Sequence, residues 1–387
     1  MRTGLYLPAR LAWRILVHDR PKLIAALLGV LFACVLVFMQ LGFRDSLMTS
    51  AASAPLRMKG DLFLIHKQTE ALWRTVPFDR ALLMRALGNS NVSAVYPMYM
   101  ALGQFKNLDN RTKRTLMVYG FDPSADLLDV PEVKAQRDLI KIKDYVLFDR
   151  ASRPEFGPVA QQIAAGHDIT EINDYKVKIA GTFLMGTSFA ADGNIVTSDL
   201  NFLRIFSPRL PEKIDLGIVL VKDKKQIPQV HQTLQALMGS EVAVLTFQEL
   251  IAFEQAYWQN TAPVGFIFGM GVIMGLIVGM VIVYQILFSE ISNNISQFAT
   301  LRAIGYSQGY LVRVVFASAA LLAVLGFAPG LGVSLYLYHV AEQNIFIPFP
   351  MPPEKIISVF TFILLMCFGA GALAIRKLKS ADPADMF

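Results

Sequence analysis

Apolar residues are concentrated in four long runs along the chain. The runs cover residues 23–43, 262–288, 314–338 and 356–375, and none of them contains Asp, Glu, Lys, Arg or His. A helix needs ~20 apolar residues to cross the ~30 Å hydrocarbon core of a bilayer. The shortest run has 20 residues and the longest has 27. The pattern therefore predicts four transmembrane helices.

Residues 44–261, between the first and second runs, alternate between strand and helix patterns. The first predicted strand–helix–strand unit has strands at 61–67 and 93–100 and a helix at 79–87. The second has strands at 216–222 and 241–247 and a helix at 226–238. We expect these units to pair into one α/β layer, with residues 101–210 as an inserted subdomain that is richer in strand and turn signals. The predicted fold class is an α+β membrane protein with a large α/β domain between helices 1 and 2.

A short helix is predicted between the second and third apolar runs. Ile291, Ile295, Phe298 and Leu301 recur at steps of four, three and three, which is a helical period. Gly305 stands where a helix C-cap belongs, and Ser307 can cap the next helix. Such a helix can dock into a groove on another protein or rest on lipid. Its low basic content favours docking, because helices on lipid surfaces are rich in Lys and Arg.

A second amphipathic helix is predicted over residues 5–20. Leu11 and Ile15 share one stripe with Ala12 and Leu16 beside it. The other stripe is formed by Arg10, Arg14 and His18. We expect Pro21 to end it before the first run. It is either a helix that lies on the membrane surface or basic sequence that flanks a transmembrane helix, and the pattern does not separate the two.

Composition and charge add an orientation. The chain is 54% hydrophobic and 17% charged, against about 25% charged residues in soluble proteins. Basic residues exceed acidic ones in segments 1–22, 289–313 and 376–387, whereas segment 339–355 has one Lys and two Glu. Because Lys and Arg accumulate on the cytoplasmic side, both termini and the connection 289–313 are predicted inside, and the domain 44–261 and the loop 339–355 are predicted outside. Both cysteines, Cys34 and Cys367, fall in the apolar runs, so the outer domain has no disulfide.

The first run is predicted to be an uncleaved membrane anchor. A secretory signal has an apolar core of 7–15 residues, and this run has 21. The predicted divisions are then a cytoplasmic helix 1–22, the four transmembrane helices, the outer domain 44–261, the cytoplasmic connection 289–313, the outer loop 339–355 and a cytoplasmic tail 376–387.

Motifs for catalysis, metal binding and nucleotide binding are absent from the sequence. There is no G-x-S-x-G, no H-E-x-x-H and no G-x-x-x-x-G-K-[ST], and the five histidines are scattered. Nucleic-acid motifs are absent as well. The apolar runs lack the ionisable residues that proton- and ion-coupled transporters carry. We therefore predict no catalytic residue, no metal and no nucleic-acid partner, and we expect any energy to come from another chain.

Glycines recur in the second run with the spacing of a helix-packing face. Gly271, Gly275 and Gly279 fall every four residues, and Gly326 and Gly330 repeat the spacing in the third run beside Pro329. Small residues at this spacing let two helices approach closely. They predict either a homodimer seam, which we favour, or tight packing within one chain.

Several segments resemble a known family. The motif "QFATLRAIGYS" looks like the coupling helix of FtsX/MacB-type ABC permeases, and "MQLGFRDSL", "SRPEFGP", "GTSFAADGNIVTSDLNFLRIF" and "RKLKSADPADMF" resemble the DevC family within that superfamily. One departure is Gln297, where the superfamily often has Glu. The resemblance implies a multi-pass permease of the bacterial inner membrane with an ABC ATPase as a separate subunit, so that ATP and Mg are bound by that partner.

The resemblance also implies further partners and site residues. A periplasmic membrane-fusion adaptor and, through it, a TolC-like outer-membrane channel complete such exporters, and the named DevC members export glycolipids to the cell envelope. The outer domain is implied to contain a porter-like part at about 55–100 and 211–250 and a sabre-like insertion at about 101–210. The alternative is an FtsX-like regulator that controls periplasmic partners without moving a solute. The residues expected to contact the ATPase are Phe298, Leu301, Arg302, Ile304, Gly305 and Tyr306, with Trp13 and Arg14 of the first helix as neighbours.

Overall fold

A computed structural model describes residues 6–261 and 264–380. The side chains of residues 6, 261, 299, 302 and 376–380 are outside this description. The predicted tail 376–387 therefore lies only partly within the described residues.

Twelve α-helices are found in the described part of the chain. They are α1 Tyr6–His18, α2 Arg20–Leu56, α3 Arg80–Arg85, α4 Pro131–Gln136, α5 Val159–Ala164, α6 Asp199–Ile205, α7 Ile227–Leu237, α8 Phe247–Ala256, α9 Val264–Asn293, α10 Ile295–Ala303, α11 Gln308–Ile345 and α12 Pro353–Ser380. A π-helical turn, Tyr257–Thr261, follows α8.

Eleven strands are found in the same described residues. They are β1 Leu62–His66, β2 Phe78–Asp79, β3 Val92–Lys106, β4 Lys113–Phe121, β5 Tyr145–Asp149, β6 Ile169–Ile172, β7 Tyr175–Phe183, β8 Asn194–Ser198, β9 Lys213–Ile214, β10 Leu216–Val221 and β11 Val242–Thr246.

The described residues form two compact units. The helical unit contains the residues up to Asp45, Val264–Asn344 and the residues from Phe349 onward. The sheet unit contains the chain from Ser46 to the start of α9, together with Ile345–Pro348. A mixed α/β sheet domain combined with four long apolar helices confirms the predicted fold class.

Four helices are long and apolar enough to cross a membrane, namely α2, α9, α11 and the part of α12 up to Ile375. Two of them are much longer than the apolar runs: α2 has 37 residues and α11 has 38. The extension of α2 through residues 44–56 contains many good helix formers such as Ala, Leu and Met, which continue the helix after its apolar stretch ends. Pro329 lies inside α11.

The expected α/β layer is present in the sheet unit. Its four strands lie in the order β11-β1-β10-β3, and all three pairings are antiparallel. With α3 between β1 and β3 and with α7 between β10 and β11, this is the arrangement of a split β-α-β ferredoxin-like layer. The helix α8 that follows β11 starts with a capping box, in which Thr246 and Glu249 each bond the other's backbone N–H.

The long strand β3 joins this layer to the inserted residues. Val92–Met98 of β3 pair with β10, and Met98–Lys106 pair with β4. The sheet then continues through β8, β5, β7 and β6, and β6 pairs back to β3 at Phe105 and Ile172. The predicted subdomain boundary near residue 100 therefore falls inside a strand, and the two parts share one sheet instead of meeting at a linker.

Candidate functional site

The connection between α9 and α11 contains a short helix as predicted, but this helix starts later than expected. α9 continues to Asn293, so Ile291 belongs to α9, and α10 has only nine residues. The backbone N–H of Asn294 donates to the Glu290 carbonyl at 3.1 Å, and that of Phe298 donates to the Asn294 carbonyl at 3.0 Å. The two helices are thus separated only at Asn294, and the connection is a firm attachment to α9.

The end of α10 is a glycine cap of the Schellman type. Gly305 has φ +103°, a conformation that favours glycine, and the Tyr306 N–H donates to the Leu301 carbonyl at 3.0 Å. The Tyr306 ring then packs on Tyr310 of α11, with 4.8 Å between ring centroids. The predicted helix end at Gly305 is confirmed, and it fixes the direction in which the chain turns into α11.

Exposure divides the predicted contact residues into two groups. Ile304 is 71% exposed, Gly305 and Tyr306 are also exposed, and Leu301 is half-buried. Phe298 is only 4% exposed, so it packs inside the chain and cannot present its ring to a partner, which corrects that expectation. The side chain of Arg302 lies outside the described residues. The arrangement presents an apolar tip, Ile304 to Tyr306, whose chemistry suits protein docking and not catalysis.

The first helix, α1, buries the expected apolar side, with its most buried line on Ala12 and Leu16. Pro8, Ala12 and Leu16 are buried, four residues apart, while Leu11 and Ile15 lie half-buried beside them. Trp13 is 45% exposed and Arg14 is exposed. Both side chains are therefore accessible, as a contact role requires, although an exposed Trp is also typical of a membrane interface.

The break between α1 and α2 lies at Asp19 and not at Pro21. Pro21 is in the first turn of α2, where a missing N–H costs no intrahelical bond. Asp19 accepts a hydrogen bond from the Lys22 N–H at 3.4 Å and pairs with the Lys22 Nζ at 2.6 Å. The side-chain hydrogen bond from Lys22 holds the pKa of the Asp19 carboxyl below its usual value.

The glycine face of α9 packs against other helices of the same chain. A Cβ atom on Gly279 would lie 2.5 Å from the Cβ of Ala33 in α2, and one on Gly275 would lie 3.2 Å from the Cβ of Leu36. A Cβ atom on Gly271 would lie against the amide carbon of the Gln40 side chain, also in α2. In α11, a Cβ on Gly326 would lie 2.6 Å from that of Val30. The structure thus uses these glycines for packing around α2, which was the alternative to a homodimer seam.

One polar cluster of the helical unit was missed in the sequence. The Lys355 side chain at the start of α12 is 5% exposed, and its Nζ lies 2.9 Å from the Asp45 carboxylate and donates to the Pro350 carbonyl at 2.7 Å. The ammonium also lies 5.5 Å from the Tyr338 ring centroid. A single Lys directly before one apolar run, with a single Asp two residues after the end of another, is the signal that could have suggested the pair.

Within the described residues there is no group of three His, Cys, Asp or Glu side chains that could hold a metal ion. The cysteines Cys34 and Cys367 are both buried in the helical unit as free thiols.

Residues 262–383 match the family model described as FtsX-like permease C-terminal. The matched segment contains α9 to α12, and therefore α10 and its glycine cap. No curated protein matches the chain in sequence. The C-terminal part of the chain is thus similar to the C-terminal region of FtsX-like permeases.

Two solved structures resemble part of the chain. The periplasmic region of MacB from Actinobacillus actinomycetemcomitans aligns at 10% identity with a TM-score of 0.34, covering 50% of this chain and 91% of that one. The extracellular domain of the noncanonic ABC-type transporter YknZ from Gram-positive bacteria aligns at 11% identity with a TM-score of 0.32, covering 48% of this chain and 99% of that one. Both likenesses are of fold only.

Proposed function

We propose that the chain is the membrane-spanning subunit of an ABC-type exporter and transmits motion from a separate ATPase to its sheet unit. The observation that carries the proposal is the FtsX-like permease match over residues 262–383, because that segment contains three of the four candidate spanning helices together with α10. The chain has no P-loop motif of its own. ATP and Mg are therefore assigned to the partner.

The proposed ATPase contact is the apolar tip formed by Leu301, Ile304, Gly305 and Tyr306. Ile304 is the most exposed of these side chains, and it lies one residue beyond α10. The glycine cap and the hydrogen bonds on both sides of Asn294 support a mechanical role, because a force on the tip reaches α9 and α11 through a short, folded connection. Trp13 and Arg14 extend the proposed contact on α1.

The proposed placement is the bacterial inner membrane. The excess of Lys and Arg in segments 1–22, 289–313 and 376–387 supports cytoplasmic termini and a cytoplasmic α10. The sheet unit then lies in the periplasm. In this orientation the ATPase meets α10 on one side, and the sheet unit meets its partners on the other.

The remaining parts of the proposal rest on the DevC-like motifs. They support a homodimeric permease that works with a periplasmic membrane-fusion adaptor and a TolC-like outer-membrane channel, and that exports a glycolipid or another envelope component. The packing of Gly271, Gly275 and Gly279 within the chain moves any dimer contact in this proposal to other surfaces of the helices.

Affinity purification of the tagged chain from its native membranes tests the docking proposal. We expect an associated chain with a P-loop and vanadate-sensitive ATPase activity. The Ile304→Asp variant should lose both, because it puts a charge on the exposed apolar tip without disturbing a buried contact. Ser296→Asp adds the same charge at another exposed position of α10 and should retain both. Equal ATPase recovery with Ile304→Asp and the parent chain would contradict the proposed contact.

A further inference from the structure

The sheet unit contains a recess whose walls are mainly apolar. It encloses about 500 Å³ of empty space including its open mouth, of which about 30 Å³ is accessible to the centres of water-sized groups. The residues that give it its character are Trp73, Met100, Met117, Met185, Glu254 and Trp258. Among the described residues that line the recess, Glu254 is the only acidic or basic side chain.

Glu254 is a buried carboxylate without a matching cation. It is 5% exposed, and its Oε2 accepts one hydrogen bond from the Leu72 N–H at 2.8 Å. Within the described residues no Lys, Arg or His forms an ion pair with it. Burial raises the pKa of the Glu254 carboxyl to about 7. Because an unpaired buried charge is costly, a polar occupant that pairs with it is expected to bind well.

The other buried carboxylates of this unit have their partners. Asp215 lies 2.5 Å from the Arg209 guanidinium and also accepts from Thr75 and from the Met100 N–H. Asp149 accepts from backbone N–H groups, including that of Gly186, and from a side-chain amide. Glu254 is different because it lines the recess and has a single hydrogen bond, from the Leu72 N–H, and no cationic partner among the described residues. The contrast suggests that its partner comes from outside the chain.

The surroundings of Glu254 favour a cation attached to an apolar stem. Indole and phenol rings attract cations to their faces, and methionine sulfur is soft and adaptable around aliphatic groups. The phenol of Tyr119, also in the wall, stays neutral because burial raises its pKa and the nearby charge of Glu254 adds to the effect. At the mouth, Phe189 is 37% exposed and lies 6.4 Å from Trp258, centroid to centroid. This apolar rim continues outward from the carboxylate.

The small accessible volume favours a compact cationic group. With about 30 Å³ available to the centres of water-sized groups, we expect an ammonium group bearing three hydrogens to fit better than one bearing three methyl groups. Two of the wall segments are the end of α2 and the π-helical turn that contains Trp258.

We propose that this recess binds the primary ammonium group of an amphiphile, with Glu254 as the counter-ion and the aromatic and methionine side chains around the aliphatic stem. The proposal does not depend on an ATPase partner or on transport. It assigns a ligand class to the sheet unit: molecules with an alkylammonium head and an apolar tail.

Tryptophan fluorescence of the purified full chain in a neutral maltoside detergent tests the proposal. Two of the three tryptophans, Trp73 and Trp258, lie in the recess wall. Octylammonium chloride should change the emission in a saturable way. Octanol, which has no charge, and octyltrimethylammonium, which is too large, should each require at least tenfold higher concentrations for the same change.

Three variants separate binding at Glu254 from detergent partitioning and from misfolding. Glu254→Gln keeps an acceptor for the Leu72 N–H and should weaken octylammonium binding at least tenfold. Ala54→Phe fills the recess without changing charge and should weaken it similarly. Glu241→Gln removes an exposed carboxylate elsewhere in the same unit and should leave binding unchanged. A non-saturable response, equal binding of octyltrimethylammonium, or unchanged binding in a folded Glu254→Gln variant would overturn the proposal.

Discussion

At the scale of single residues, Glu254 makes the stability of the sheet unit depend on pH. Burial raises its pKa from 4.5 to about 7. A carboxyl with a higher pKa in the folded state favours folding fully below about pH 4.5, and this contribution is lost as the pH rises through 7. At about 1.4 kcal/mol per pKa unit, the difference is about 3 kcal/mol.

The Glu254→Gln variant should therefore lose less stability than the parent chain between pH 5 and pH 8. The amide stays uncharged throughout and can still accept from Leu72. Thermal unfolding of the full chain at several pH values measures the difference, with Glu241→Gln as the control that should follow the parent. Parallel pH profiles for Glu254→Gln and the parent would show that the carboxyl is not held in its neutral form.

Gly279 and Gly269 lie in the same helix and should respond oppositely to the same substitution. Gly279→Ala would bring a methyl group within 2.5 Å of Ala33 and of the Met366 sulfur, whereas no atom lies within 4 Å of a Cβ on Gly269. Overpacking of this kind costs about 1–3 kcal/mol. Gly269→Ala should be neutral or stabilising by up to about 1 kcal/mol, because alanine is the better helix former.

Thermal unfolding in detergent distinguishes these glycine variants, and light scattering gives their oligomeric state. A Gly279→Ala variant with parental stability but a changed oligomeric state would restore the homodimer seam that the sequence favoured. A loss of stability in an unchanged oligomer would support packing within the chain.

At the scale of elements, Lys355 connects the start of α12 to Asp45, the last residue of α2 that belongs to the helical unit. Its ammonium is held by the Asp45 carboxylate, the Pro350 carbonyl and the Tyr338 ring. Lys355→Met keeps the aliphatic stem but removes the charge, and the loss of hydrogen bonds to a charged group should cost about 1.5–3 kcal/mol.

A double-mutant cycle with Asp45→Asn measures how much of that loss belongs to the pair. The double variant should be less destabilised than the sum of the single variants, since neither partner is then left with an unmatched charge. Lys22→Met is the control, because the Lys22–Asp19 pair is solvent-exposed and such pairs contribute about 0–1 kcal/mol. Additive effects of Lys355→Met and Asp45→Asn would mean that the two side chains do not interact.

The elements that could be predicted from the sequence are those fixed by local patterns. The four apolar helices follow from uninterrupted apolar runs, the strand–helix–strand units from their alternation, and the end of α10 from Gly305. Features set by distant contacts could not be found in this way. The change of partners along β3 depends on pairings with β10 and β4, and the Lys355–Asp45 pair joins residues that are far apart in sequence.

The same limit explains the errors in the candidate site. The period that contains Phe298 is compatible with a helix that is buried on one side, but the sequence does not say whether that side faces a partner or the chain itself. For Gly279 the spacing gives a packing face and leaves the partner helix open. The role of Glu254 cannot be seen in the local sequence, because six separate segments of the sheet unit form the recess.

At the scale of the whole molecule, the proposed function requires α10 and the sheet unit to be on opposite sides of the membrane. Both native cysteines, Cys34 and Cys367, are buried, so the native chain should react poorly with a maleimide that does not cross membranes. New cysteines can then report each side. Gln297→Cys places one at an exposed position of α10, and Asn110→Cys places one at an exposed position between β3 and β4.

With the outer membrane permeabilised and the inner membrane intact, we expect Asn110→Cys to be labelled and Gln297→Cys to be protected. Both should be labelled after the inner membrane is opened, which shows that each new thiol is accessible, and the parent chain gives the background. The physical basis is the cost of moving the Lys and Arg residues of segments 1–22 and 289–313 across the bilayer. If Gln297→Cys were labelled while the inner membrane is intact and Asn110→Cys were protected, the orientation would be the opposite of the proposed one. The apolar tip of α10 would then lie where no cytoplasmic ATPase could reach it.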